Sequence, residues 1–237
     1  MESRPACGVI RLGRVTVEYE RAALNREDAG AFAVLAARGL REMERLTRRR
    51  TRGRLRFEVR SGGHISTVRG RTILLAAHRV RTHRAPYLHE IAHVLLPCRN
   101  APEWFSEGLA CYVESAVSEQ GGGYDSRLFT GDGNRGVDED ARWWMNDARG
   151  RAVLPFAGRR GVPPGIGRDR HNVAAPFYVL SHSLVKFLAE RAGVDSLVRA
   201  GRARRFAVEL RRATGKTSAA WREEWLRTLD TKEAGTD

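Results

Sequence analysis

The stretch that most constrains the fold is Pro86–Glu114, PYLHEIAHVLLPCRNAPEWFSEGLACYVE. It reads as two helices joined by Pro97–Ala101. Proline suits a first helical turn and cannot continue a helix, so Pro86 opens the first, Pro97 ends it and Pro102 opens the second. Leu88, Ile91, Ala92, Leu95 and Leu96 make the first helix apolar, yet it also carries His89 and His93. At about 100° per residue these two imidazoles lie within roughly 40° of each other, one turn apart. Both can therefore reach one zinc ion at about 2.0–2.1 Å. Glu90 falls about 60° from His93, beside the metal rather than toward it, where a general base for an activated water belongs.

A catalytic zinc takes three protein ligands and keeps one position open. On the second helix Phe105, Leu109, Tyr112, Val113 and Val117 form an apolar face, while Glu103, Glu107 and Glu114 share another, within about 60° of each other. The short connection lets an antiparallel pairing bring this acidic face back over the metal. Spacing alone does not choose between Glu103 and Glu107. Cys98 and Cys111 flank the motif, but thiolates would close the site as a structural one. With Glu90 placed as a base, they read as small buried residues.

HEIAH followed by PEWFSEGLACYVE resembles the gluzincin zinc metallopeptidases, in particular the compact peptidase-MA-like group related to thermolysin and the membrane-alanyl aminopeptidases. The resemblance implies a zincin-like fold, Glu107 as the third zinc ligand with His89 and His93, and Glu90 as the catalytic base. Pro176–Leu188, PFYVLSHSLVKFL, is similar to the later helix on which these aminopeptidases carry a tyrosine that stabilises the transition state. The matching position is Tyr178. The alternative for Tyr178 is an amphipathic core residue, and His182, one turn on, reads as a satisfied structural histidine. His64, His78, His83 and His171 stand in no motif. The pattern is departed from at Cys111, where thermolysin-like relatives carry an acid that orients a histidine ligand. That partner must come from elsewhere, Glu114 or a backbone carbonyl. No Gly-x-Met-Glu-Asn-type motif is present for holding a free substrate amino terminus.

The implied activity is hydrolysis of peptide bonds with one zinc ion as cofactor, Glu90 as general base and Tyr178 as oxyanion stabiliser. Two other readings fit the same sequence. One is a catalytically silent zinc-containing binding or scaffold protein of this fold. The other is an arginine-rich nucleic-acid-binding protein, whose affinity would fall steeply with salt.

Net charge bears on that last reading. It is +14, and all but three of the 42 basic residues are arginine, the lysines being Lys186, Lys216 and Lys232. The arginines are spread through every segment rather than interleaved with aromatics on one element, which favours genome base composition over nucleic-acid binding. The excess of positive charge hints at acidic peptide or protein substrates. Three cysteines at unrelated spacings imply no disulfide framework. The first residues carry no apolar run of signal-peptide length and no stretch reaches membrane-spanning length, so the expectation is a cytoplasmic protein without membrane attachment.

With 237 residues, 42% of them hydrophobic, the chain can bury a sizeable core. The expected fold is α+β. Residues 1–84 form an N-terminal lobe of mixed sheet with a helix, and 85–237 form the zinc-binding and mostly helical C-terminal lobe, together one catalytic domain. Val15, Val17 and Tyr19 alternate with polar residues, as do Leu55, Phe57 and Val59, giving two half-buried strands. Between them a helix starts near Asn25 or Asp28 and buries Phe32, Leu35, Met43 and Leu46. A short strand near His64–Val68 and an apolar strand at Thr72–Ala77 follow. The latter is expected at the sheet edge, open to an added peptide strand.

Residues 118–172 read as a loop-rich excursion with a short helix around Trp143 and Trp144. Asp132-Gly133-Asn134 fails as a calcium loop, because Gly136 and Val137 fill positions that need a ligand and the turn glycine. Gly215-Lys216-Thr217 fails as a phosphate-binding loop, because Leu210 replaces its first glycine and no strand precedes it. Helices are expected at 175–191, 195–202, 205–214 and 218–230, with Gly193 and Gly215 as stops.

Overall fold

The computed structural model describes residues 6–62, 66–119 and 136–230. They form an α+β fold: a five-stranded mixed sheet with one long helix early in the chain, and further helices from Ala77 onward. His64 and the rejected calcium loop at 132–134 lie outside the described residues. Contacts divide the chain into two units, one drawn from Met1–Leu95 and Val113–Ser126, the other from Leu96–Tyr112 and Arg127–Asp237.

In the first unit, β1 (Cys7–Leu12) runs antiparallel to β2 (Val15–Glu20) through a tight turn where Gly13 takes φ 54. That left-handed backbone costs glycine little. β1 was not among the expected strands because it lacks alternation: of its residues only Gly8 is buried. It is held by pairing rather than by a buried face. β3 (Leu55–Arg60) lies parallel to β2, and β5 (Thr72–Ala76) parallel to β3. β4 (Thr67–Arg69) then folds back antiparallel on β5.

The order β1-β2-β3-β5-β4 corrects one expectation. Thr72–Ala76 is an inner strand, because the chain reverses at Gly70, φ 63, and lets β4 take the edge. Ala77 also leaves the strand, opening the short helix α2 (Ala77–Arg81).

One face of the sheet is apolar. Val15, Val17, Leu55, Phe57, Val59 and Ile73 have no exposed surface. The other face carries Glu18 and Glu58 opposite each other, flanked by Arg56 and Arg60. Helix α1 (Arg26–Thr47) is capped by Asn25, whose side chain accepts the Asp28 N–H at 2.7 Å. It buries Phe32, Leu40 and Met43 with Ala29, Ala33, Ala36 and Ala37, whereas Leu35 and Leu46 are only half-buried. The core face is thus wider and smaller in side-chain size than the large residues suggested.

Alanines and glycine let α1 approach α3 (Tyr87–Leu95). A Cβ on Gly39 would lie 2.5 Å from Leu88 Cδ2. Phe32 packs edge-on against both Phe57, at 5.2 Å, and Tyr87, at 5.7 Å. The histidine helix is therefore locked to the sheet through its apolar residues.

Helix α4 (Glu103–Glu119) is continuous and contributes to both units. In the second unit α5 (Val137–Asn146) and α6 (Ala148–Val153) occupy part of the expected excursion, and 157–169 is irregular. The four later helices fall where capping and periodicity put them: α7 (Ala175–Ala192), α8 (Val194–Arg202), α9 (Phe206–Thr214) and α10 (Ser218–Asp230). Gly193 and Gly215 take φ 74 and φ 79 at their junctions. Helix α7 is the axis of this unit: Phe177, Val179, Leu180, Leu184, Val185 and Leu188 have no exposed surface. Trp104, Phe105 and Phe206 form an aromatic cluster, with Phe105 and Phe206 centroids 4.7 Å apart.

Candidate metal centre

Helix α3 sets the two histidines. Its Leu88, Ile91, Ala92 and Leu95 are buried, which fixes the rotation of the helix and leaves His89 and His93 on one adjoining face. Their Nε2 atoms converge to 3.0 Å. Their ring centroids are 4.7 Å apart at an interplanar angle of 81°. His89 is 5% exposed and His93 half-buried. Burying two imidazoles nose to nose satisfies at most one nitrogen with the other's proton, unless a cation accepts both lone pairs. Tetrahedral zinc would hold two such nitrogens about 3.3 Å apart. The separation here fits.

Glu90 follows His89 on α3 and is 8% exposed. A carboxylate is rarely buried without a task or a partner. Glu114, on α4, is 4% exposed and places Oε2 3.5 Å from His89 Nδ1. It stands on the ring edge opposite the converging Nε2 atoms, the position from which a carboxylate orients a histidine and makes Nε2 a better donor. The acidic partner missing at Cys111 is thus supplied three residues later, where the next carboxylate on the helix falls.

Glu103 and Glu107, which spacing could not separate, differ in environment. Glu103 begins α4 and is exposed, while Glu107 is 8% exposed. The liganding atoms of His89, His93 and Glu107 all lie within 4.8 Å of one another, a set of two imidazole nitrogens and one carboxylate that suits zinc. A second set with the same spacing is His89, Cys111 and Glu114. Glu103 belongs to neither.

Gly108 explains why α4 presents Glu107 in this rotation. A Cβ there would meet the Ser181 carbonyl oxygen of α7 at 2.3 Å. Only glycine allows this approach, so the residue after Glu107 seats α4 on α7. Its role was not legible beforehand, although a glycine inside an otherwise apolar helix was the available signal.

Cys98 is half-buried and Cys111 buried. Burial, with the Glu107 carboxylate adding to it, pushes the Cys98 thiol up to about 12. It stays protonated at neutral pH. Tyr178 is half-buried on α7, beside Phe177 at 6.2 Å between centroids. His182, one turn on, is buried and faces Tyr112 edge-on at 6.5 Å. His78 and His83 are exposed.

Compared with known proteins, the chain matches no family model and no curated sequence. No helix among the described residues is long and apolar enough to cross a membrane.

Proposed function

We propose that this protein is a zinc-dependent peptidase of gluzincin type. The observation that carries the proposal is the convergence of His89 and His93 Nε2 at 3.0 Å with Glu107 in the same ligand set and Glu90 buried next in sequence. His89, His93 and Glu107 would hold the ion. When bound, zinc supplies Lewis acidity to a water molecule and to the scissile carbonyl. The Glu90 carboxylate takes the proton of the attacking water and passes it to the nitrogen of the departing amine, so one group serves as base and then acid. The Tyr178 hydroxyl donates to the carbonyl oxygen as negative charge builds there. Glu114 keeps His89 in one tautomer, with the proton on Nδ1.

The test is metal analysis of the purified protein followed by a broad peptide library, with and without chelator. One zinc per chain and chelator-sensitive cleavage are expected. A zinc-bound protein that cleaves nothing in the library would instead favour a binding or scaffold role.

A further inference from the structure

Helices α4 and α9 both begin at the rim of a cavity of about 660 Å³, within the second unit. This is the size range of ligand sites, roughly 300–1,000 Å³. Arg99, Arg160, Arg204 and Arg205 line it, brought from three separate parts of the chain. Among the described residues none of the four is paired with a carboxylate, whereas elsewhere Arg56, Arg60 and Arg149 each have acidic partners. Glu103 is the one acid among the described residues of the wall. The first turns of helices leave backbone N–H groups without intrahelical acceptors, and α9 has no side-chain cap over its own. Four guanidinium groups and two helix starts around one concavity make a positive well that a single small anion would not fill.

The remaining wall decides which polyanion fits. Val162 and Val208 are exposed beside the arginines, at 46% and 57%. Among the described residues the one aromatic ring in the wall, Phe206, is 5% exposed and packed under Phe105, so these residues offer no aromatic platform to stack a base. We infer that this cavity binds an acidic peptide segment, its carboxylates on the arginine forks and its apolar side chains on Val162 and Val208. Glu107 lies one turn beyond Glu103 on α4, so the segment belongs to a substrate; that assignment of use rests on the proposed peptidase, but the binding does not.

The experiment measures binding of a labelled peptide carrying four Asp or Glu residues interspersed with Val and Leu to the Glu90→Gln protein, where turnover does not intervene. Binding is expected to weaken steeply with salt, and about tenfold in Arg204→Ala/Arg205→Ala and in Arg160→Ala with Arg99→Ala. Arg38→Ala/Arg41→Ala on α1 removes the same charge elsewhere and should leave binding unchanged. A Gln-substituted peptide that binds equally, equal losses in the α1 control, or a single-stranded oligonucleotide that outcompetes the peptide would each overturn the inference. Peptide binding without cleavage of any peptide by the wild-type protein would retain this site and reject the peptidase.

Discussion

Among single residues, the buried carboxylates Glu90, Glu107 and Glu114 decide the chemistry proposed for the site. Glu114 meets His89 at Nδ1, away from the converging Nε2 atoms, so Glu114→Gln should lower zinc affinity about 10–100-fold while leaving His89, His93 and Glu107 in place, measured by competition with a chromogenic chelator. Tyr178→Phe should lower kcat about 100-fold or more with little change in KM and unchanged zinc content; a core role would instead show as lost stability. Residue identity alone marked His89, Glu90 and His93 as a candidate set, because two imidazoles at one-turn spacing can share one metal ion. It did not separate Glu103 from Glu107, since both sit on one helical face. Burial does separate them, and burial depends on where the chain packs.

At the scale of elements, the charged sheet face and the α4–α7 contact carry separate predictions. Hydrogen bonding from Arg60, aided by the charges of Arg60 and Arg56, holds the Glu18 carboxyl below the usual carboxylate range. A depressed folded pKa gives stability that is complete above the unfolded value and is lost as pH falls through the folded one. Glu18→Gln should therefore be less stable than wild type at pH 7, by under about 1 kcal/mol because water screens a surface pair. The difference should shrink as the pH falls through Glu18's lowered pKa, as read from melting temperatures across pH. Gly108→Ala should cost about 1–3 kcal/mol, since a backbone carbonyl at 2.3 Å must move, and it should also weaken zinc binding by displacing Glu107. The later helices were readable from caps and 3.6-residue periodicity to within a residue or two. β1 and the inner place of β5 were not, because strand order depends on pairing between distant segments and leaves no local pattern. The same holds for the arginine-lined cavity, whose arginines come from three segments spread between Arg99 and Arg205.

At the scale of the whole molecule, zinc binding and folding should be coupled. With free zinc near a thousand times its Kd, the ion adds about 4 kcal/mol, so a chelator should lower the melting temperature by roughly 10 °C. A net charge of +14 predicts that acidic peptides associate faster at low salt than neutral ones. Neither result alone would distinguish an enzyme from a zinc-stabilised binding protein. The most direct measurement is peptide hydrolysis by the wild-type and Glu90→Gln proteins, with zinc content determined on the same samples. One zinc per chain in both, cleavage by the wild type, and at least about a thousandfold loss in the variant are expected. Full activity in zinc-loaded Glu90→Gln protein would contradict the proposal.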